Sequence, residues 1–292
     1  LKKAFDVLGV GPLGVEYVYE VKDPLYLEDL GLRVGDEIWW KDKDRWLLKE
    51  RLMVFGELKS VRPAGVALPL FYLKDLGLNV GIAGTLGRDK EGDEFVNRFG
   101  RGDVTHIIRR RNTSVIYRIL VKGVGRIRVL FPEDSFKINP EELDLPFLRQ
   151  SRWVHLLPFP EQEGTFFIKK IKEDLFGMIP LSLECDSLYF GNFKEREILE
   201  GIDLLFVRDR DLMVLNEPLD SILKRVKMVL VNRGKKGVSL YHEGEEFTIS
   251  EEVEDMEEVQ EVLVGLFLGF LLLGEEPEKA LSLARERALS YL

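Results

Sequence analysis

Cysteine is almost absent from this chain of 292 residues: only Cys185 is present, so no internal disulfide can form. Such scarcity fits a reducing, cytoplasmic compartment. Histidine is nearly as rare. His106, His155 and His242 stand far apart, and without clustered Cys or His a zinc site is not expected. Apolar runs of membrane-spanning length are missing too. The uninterrupted run from Val262 to Leu273 is about a dozen residues, short of the roughly 20 that cross a bilayer. A basic surplus is also lacking. The formal charge is −9 and the pI near 5.2, which argues against general nucleic-acid binding. No internal repeat, low-complexity tail or disordered linker stands out, and residues 5–11 read as a first strand rather than a signal peptide.

What the chain does have is an α/β rhythm. Hydrophobic content of 45% is that of an ordinary globular protein. Short apolar runs (FDVLGV, WVHLLPF, IPLSLEC, DLLFVR, KMVLVN) read as buried parallel strands separated by helical stretches. Residues 15–21 and 36–41 read as strands, 46–58 as a helix ending near Gly56, and 66–76 as a helix stopped by Gly77. Residues 79–83 form a further expected strand, 84–92 a turn-rich connection, and a helix begins at 93–99. SVIYRILVK and GRIRVLF suggest a hairpin around Gly123 and Gly125, and GVSLY with EEFTIS a second one. Pro277 opens a final helix at a favourable first-turn position. Adjacent Trp39 and Trp40 must point to opposite sheet faces, one of them toward a ligand cleft or both into sheet packing.

Three features bear on chemistry. GVGPLG, Gly9–Gly14, fits the spacing of a dinucleotide-binding turn, but VEYVYEV follows it and favours a strand where a helix is required. Arg109–Arg110–Arg111 could meet a ligand phosphate or form a solvated basic patch. Residues 251–261 hold seven acidic side chains in eleven positions, directly before the apolar run. Helical spacing of Val259, Val262, Leu263, Leu266, Phe267 and Phe270 predicts a helix, and the apolar residues between them predict that it is buried on several sides. The acidic approach is a solvated face, or a contact for a basic partner; it has no recognisable Ca²⁺ loop.

The order of these pieces resembles the ribokinase-like (PfkB) carbohydrate kinase family, including its adenosine kinase branch, over nearly the whole chain. LKDLGLNVGIAGTLGRDKEGDEF is the nearest match. Gly84, Gly87, Asp89 and Gly92 fit the family's G-x-x-G-x-D-x-x-G. VNRGKKGVSLYHEGEEF resembles its G-x-x-G turn near the nucleotide, with Gly234 and Gly237 intact. The resemblance implies a three-layer α/β/α domain, residues 1–292, with a mainly parallel sheet and a small β-lid from residues 15–41 and 105–131. It also implies ATP and Mg²⁺, a sugar or nucleoside as small-molecule partner, and a homodimer through the lid. The family reaction transfers the γ-phosphoryl of ATP to a hydroxyl, with a carboxylate as base and a glycine-rich turn holding the developing charge.

Several matched positions depart from that pattern. The family's G-A-G-D turn aligns with Glu258–Val259–Gln260–Glu261, which replaces two glycines and puts a carboxylate where phosphate would sit. Glu261 stands at the position of the catalytic Asp, one methylene longer. Glu16 aligns with the Asp that holds sugar hydroxyls, near Gly14. Pro63–Ala64, with Gly65 one residue on, and Leu68 align with the family's Gly-Gly and Asn. Asn232 joins Gly234 and Gly237 as a nucleotide-binding candidate. The Mg²⁺-associated N-x-x-E aligns with Arg208–Asp211, which leaves Asp211 as the metal candidate behind an Arg hostile to a cation. The expectation is a family homologue that is catalytically impaired or inactive and retains a ligand-binding or structural role. Its alternative is a divergent ATP-dependent kinase.

Overall fold

The computed structural model describes residues 3–41, 45–160, 162–190, 196–215, 217–250 and 256–291. Fourteen strands are present among them. They are β1 (Phe5–Val10), β2 (Leu13–Val21), β3 (Glu37–Trp39), β4 (Gly56–Gly65), β5 (Val80–Gly87), β6 (Asp103–Arg110) and β7 (Ser114–Val121). The second half of the chain adds β8 (Gly125–Phe131), β9 (Ser151–Leu156), β10 (Leu181–Cys185), β11 (Leu204–Arg208), β12 (Met228–Asn232), β13 (Val238–His242) and β14 (Glu245–Ile249). Nine strands form the main sheet in the order β14-β13-β12-β11-β10-β9-β1-β5-β6. It is parallel from β12 to β6 and antiparallel at β12–β13–β14. The parallel strands are buried on both faces, which is why they read as unbroken apolar runs.

One apolar cluster holds the helices Ala67–Leu73, Gln260–Leu272 and Pro277–Leu289 on one face of this sheet, and a second holds the helix Gln162–Leu175 on the other. The helix Gln260–Leu272 is buried at every position from Gln260 to Gly269, as its all-round apolar sequence requires. It lies close against Ala67–Leu73. A Cβ added at Gly265 would stand 2.2 Å from the Pro69 carbonyl oxygen.

The second sheet, in the order β3-β8-β7-β2-β4, takes in strands from both expected lid segments and is called the lid. Its alternation decides the two faces. Tyr19, Val115, Tyr117, Ile119, Ile127, Val129 and Phe131 pack under the helix Arg45–Phe55 through Leu48 and Leu52. The side chains between them, Arg118, Arg126 and Arg128, are buried too. They face the main sheet.

Three expectations change. The helix at 46–58 stops at Phe55, and Gly56–Gly65 is a strand paired antiparallel with β2. Its edge position tolerates Pro63, which obscures the strand signal. Residues 105–110, the start of the expected lid segment 105–131, belong to β6, which pairs parallel with β5 in the main sheet. β5 itself runs on through Gly87, so half of the expected turn at 84–92 is strand. A strand also follows Gly14, so the dinucleotide-binding reading is excluded. The acidic residues 251–255 lie outside the described residues. Among the described ones no helix is long and apolar enough to cross a membrane.

Gly265→Ala is expected to lower unfolding stability by about 1–3 kcal/mol, the range for overpacking a filled interior. Phe267→Ala, which empties a fully buried ring site against Phe206, should cost about 3–5 kcal/mol. Urea denaturation of both variants checks this.

Candidate active site

The lid and the main sheet meet through charge. Glu16 on β2 lies opposite Arg62 on β4 in the strand register, and Arg118 on β7 lies opposite Arg128 on β8. Arg118 donates from Nε to Glu16 at 2.9 Å, and Arg62 donates from Nε to the other Glu16 oxygen at 2.7 Å. A second Arg118 nitrogen crosses the cleft to Glu261, in the first turn of the helix Gln260–Leu272. Arg118, Glu16 and Glu261 are all buried. Arg62 also donates to the Tyr72 hydroxyl at 3.2 Å.

A second group stands beside the first. Arg208 ends β11 and grips Glu37 of the lid with two parallel bonds, at 2.8 and 2.9 Å. The same guanidinium donates to Asp186 at 3.0 Å and, from Nε, to Asp211 at 2.5 Å. Arg128 reaches Asp186 at 2.9 Å and Glu37 at 3.2 Å. Trp39 adds a neutral link from the lid, donating from its indole nitrogen to the Leu188 carbonyl at 2.6 Å. Its neighbour Trp40 packs inside the lid against Phe131.

Burial alone would raise the pKa of Glu16, Glu37 and Glu261, but the arginines outweigh it, whereas at Asp211 burial prevails over Arg208 and raises it. Glu261 is held far below the carboxylate range by Arg118, Arg128, Arg62 and Arg126, and Glu37 likewise by Arg128 and Arg208. Arg126 is pushed down to about 10 by burial and by repulsion from Arg118 and Arg128. Beneath the cleft, Glu184 on β10 is driven well above its usual value by burial beside Asp186 and Glu261. His155 on β9 lies 3.7 Å from Glu184, and burial pushes it down to about 3.

The sequence candidates fall into three places. Glu16 and Glu261 come together on Arg118, and Asp211 joins the Arg208 group. Asn232, Gly234, Gly237 and Gln260 form a separate structural joint. Asn232 donates to the Gln260 side-chain oxygen at 2.7 Å and to the Met256 carbonyl at 2.9 Å, and accepts from the Gly234 N–H at 3.0 Å. Gly234 and Gly237 have φ of 59° and 92°, which glycine adopts without strain. Val259 is buried at the helix entry, and the side chain of Glu258 lies outside the described ones. Gly14 and Gly65 serve close approach. A Cβ at Gly14 would meet the Ser114 carbonyl oxygen at 2.7 Å, and Gly65, at φ 73°, donates its N–H to the Tyr189 hydroxyl at 3.2 Å.

The G-x-x-G-x-D-x-x-G segment is likewise architectural. Asp89 caps the helix Lys90–Phe99 by accepting from the Gly92 N–H at 2.9 Å. It also accepts the Thr113 N–H at 2.7 Å and hydroxyl at 2.6 Å. Arg109 and Arg110 pair with Asp93 and Glu142 at the surface.

The donor set does not fit Mg²⁺. The Arg208 guanidinium stands among Glu37, Asp186 and Asp211, the carboxylates that could hold a cation there. Among the described residues no group of three Cys, His, Asp or Glu side chains is placed to hold a metal. The arginines of the lid were missed from sequence. Their signal was present: Arg126 and Arg128 alternate with Ile127 and Val129, a polar face on a strand whose other face is core.

No family model matches the sequence, and no curated protein matches it. Solved structures do. Adenosine kinase from Sinorhizobium meliloti superposes with a TM-score of 0.81 at 18% identity, covering 97% of this chain and 92% of that one. The chain has the ribokinase-like fold. Adenosine kinase from Anopheles gambiae, in complex with P1,P4-di(adenosine-5) tetraphosphate, gives 0.79 at 16% identity, with 97% and 94% covered. A candidate ribokinase II from E. coli, in complex with ATP and Mg²⁺, gives 0.70 at 18% identity, with 96% and 90% covered. Within this ribokinase-like fold the lid and the nine-stranded sheet are the parts on which the cleft is built.

Two outcomes follow. Arg118→Met should destabilise the protein by about 3–5 kcal/mol, because Glu16 and Glu261 lose a buried partner. His155 is neutral when folded and protonates near 6.5 when unfolded. Its contribution is therefore full above about pH 6.5 and falls as pH drops toward 3, by up to about 1.4 kcal/mol per unit. His155→Gln should flatten the stability profile between pH 6.5 and 4 in denaturant titrations. The lowered Glu37 and Glu261 add their own loss as pH falls below about 4.5 in both proteins.

Proposed function

We propose that this ribokinase-like chain is a sugar or nucleoside kinase homologue whose catalysis is impaired or lost, and that it retains a ligand-binding or structural role in the cytoplasm. The contact between Arg118 and Glu261 carries the reading. A general base works best with a pKa near the operating pH. A carboxylate held far below its usual range by four arginines has little affinity for a substrate proton. Two further observations support the proposal. The aligned turn carries Glu258 and Gln260 where close backbone approach to phosphate calls for glycine. Arg208, at the aligned first position of the Mg²⁺-associated segment, is bonded to Glu37, Asp186 and Asp211. The bound nucleotide of the solved relatives, and their Mg²⁺, are therefore not carried over.

The second reading, a divergent kinase phosphorylating a hydroxyl, is favoured by one atom. Glu261 Oε2 is buried and has no hydrogen-bond partner, so it could accept a proton from a substrate hydroxyl. A homodimer through the lid belongs to the same proposal. Trp46, Leu47, Met53 and Val54 leave an apolar outer face on the helix Arg45–Phe55, opposite the buried Leu48 and Leu52.

Titration calorimetry with Mg-ATP to millimolar concentration is expected to give no binding, and a coupled assay over sugars and nucleosides no substrate-dependent ADP release. ADP release at ordinary kinase rates, abolished by Glu261→Gln in a folded protein, would sink the impaired reading. Light scattering should give a dimer that Val54→Glu dissociates; a monomeric wild type at high micromolar concentration removes the lid dimer.

A further inference from the structure

Three polar atoms in the floor of the main sheet are buried without a partner: His155 Nε2, Glu184 Oε1 and Glu261 Oε2. They share one side of the sheet. His155 on β9 and Glu184 on β10 point to the same face as Phe206 on β11, and Phe206 meets Phe267 of the helix Gln260–Leu272 edge-on. Glu261 stands in the first turn of that helix. Buried donors and acceptors are nearly always paired in folded proteins, so the three unmade bonds call for one explanation.

The neighbouring bonds fix where the protons are. Trp153 Nε1 can only donate, and it donates to Ser182 Oγ at 2.9 Å. Ser182 Oγ lies 2.9 Å from His155 Nδ1, so the serine proton goes to that nitrogen. His155 is neutral, because burial pushes it down to about 3. Its own proton is therefore on Nε2, which faces Glu184 Oε2 at 3.7 Å. Glu261 is ionised under its four arginines and can only accept. An ionised Glu184 could only accept as well, and no bond could form between the two glutamates. Burial, Asp186 and Glu261 all favour the acid form of Glu184, and the opposing pull of Arg208 and Arg128 is weaker.

We propose that Glu184 is a positioning residue that stands in the folded protein as a carboxylic acid, with its O–H bonded to Glu261 Oε2 and its other oxygen accepting from His155 Nε2–H. One proton then answers all three orphaned atoms, in a relay that runs Trp153, Ser182, His155, Glu184, Glu261. Arg118 holds one oxygen of Glu261 from the lid, and Glu184 holds the other from the sheet. A substrate hydroxyl would find neither oxygen free. The inference rests on the reading of the chain as catalytically impaired and supplies the reason at the one atom that favours a kinase.

Infrared spectroscopy of the wild-type protein in D2O at about pH 7 tests it, since ordinary carboxyl groups are ionised there. A C=O stretch of a protonated carboxylic acid is expected. Glu184→Gln should remove the band, and Glu261→Gln and His155→Gln should each shift it. No such band in the wild type overturns the proposal, as does a band that survives Glu184→Gln. A band indifferent to Glu261→Gln overturns the bond between the glutamates. Denaturant titrations give a second readout. Glutamine keeps a donor and an acceptor, so Glu184→Gln should unfold at a higher midpoint than Glu184→Leu; equal midpoints count against the relay. The acid form takes up a proton on folding that the unfolded chain has lost above about pH 4.5. The folding constant of the wild type should therefore fall relative to that of Glu184→Gln by about tenfold per unit as pH rises from about 5.5 to 7. A constant ratio would overturn the proposal. The outcomes are separable from those of the activity assay: ADP release removes the impaired reading whatever the spectrum shows, and a missing band without ADP release removes the relay alone.

Discussion

Taking an ion out of water costs several kcal/mol unless a partner of opposite charge is fixed beside it. The cleft between the lid and the nine-stranded sheet is organised by that requirement. Arg118 serves two carboxylates, one from the lid and one from the buried helix. Arg208 serves three, from β3, from just past the end of β10 and from the helix Asp209–Leu215 that follows β11. None of these groups is solvated, so each depends on the others being present and in place. The charged face of the lid is thus bonded across the cleft to the main body at Glu261, Asp186 and Arg208.

This arrangement constrains what chemistry the cleft can host. In a phosphoryl-transfer site, positive charge is kept available for the group that moves, and the protein contributes positioning and electrostatics more than covalent chemistry. Here the positive charge is committed to the chain's own carboxylates. A ligand that enters must offer those arginines at least as much as they already have. That condition favours anions over neutral sugars, and planar two-oxygen acceptors over point charges.

Much of the fold was legible in the sequence. Parallel strands buried on both faces give short apolar runs, so β9 to β12 were found from IPLSLEC and its counterparts. The helix Gln260–Leu272 was found from its all-round apolar pattern. β4 was not, because an edge strand bearing Pro63 and exposed charge carries little periodic signal. Residues 105–110 were placed in the lid for a related reason: β6 is a half-buried edge strand and lacks the apolar run of a buried parallel strand. At the site, Glu16, Asp211 and Glu261 were named from aligned positions. Their partners were not, because Arg62, Arg118 and Arg128 acquire meaning only when two sheets face one another. Nothing in GRIRVLF says what lies across from its polar face.

The shared guanidinium of Arg208 bears on how such a cleft could change over time. Replacing it to make room for a cation would leave Glu37, Asp186 and Asp211 together without a counter-charge. Replacing any one of those acids first would leave the arginine over-supplied with positive neighbours. Each single substitution thus leads through a less stable protein, and only concerted change of several residues avoids it. A cleft wired in this way is an evolutionary ratchet: it is easier to keep, or to adapt to a new anion, than to convert stepwise into one that binds metal.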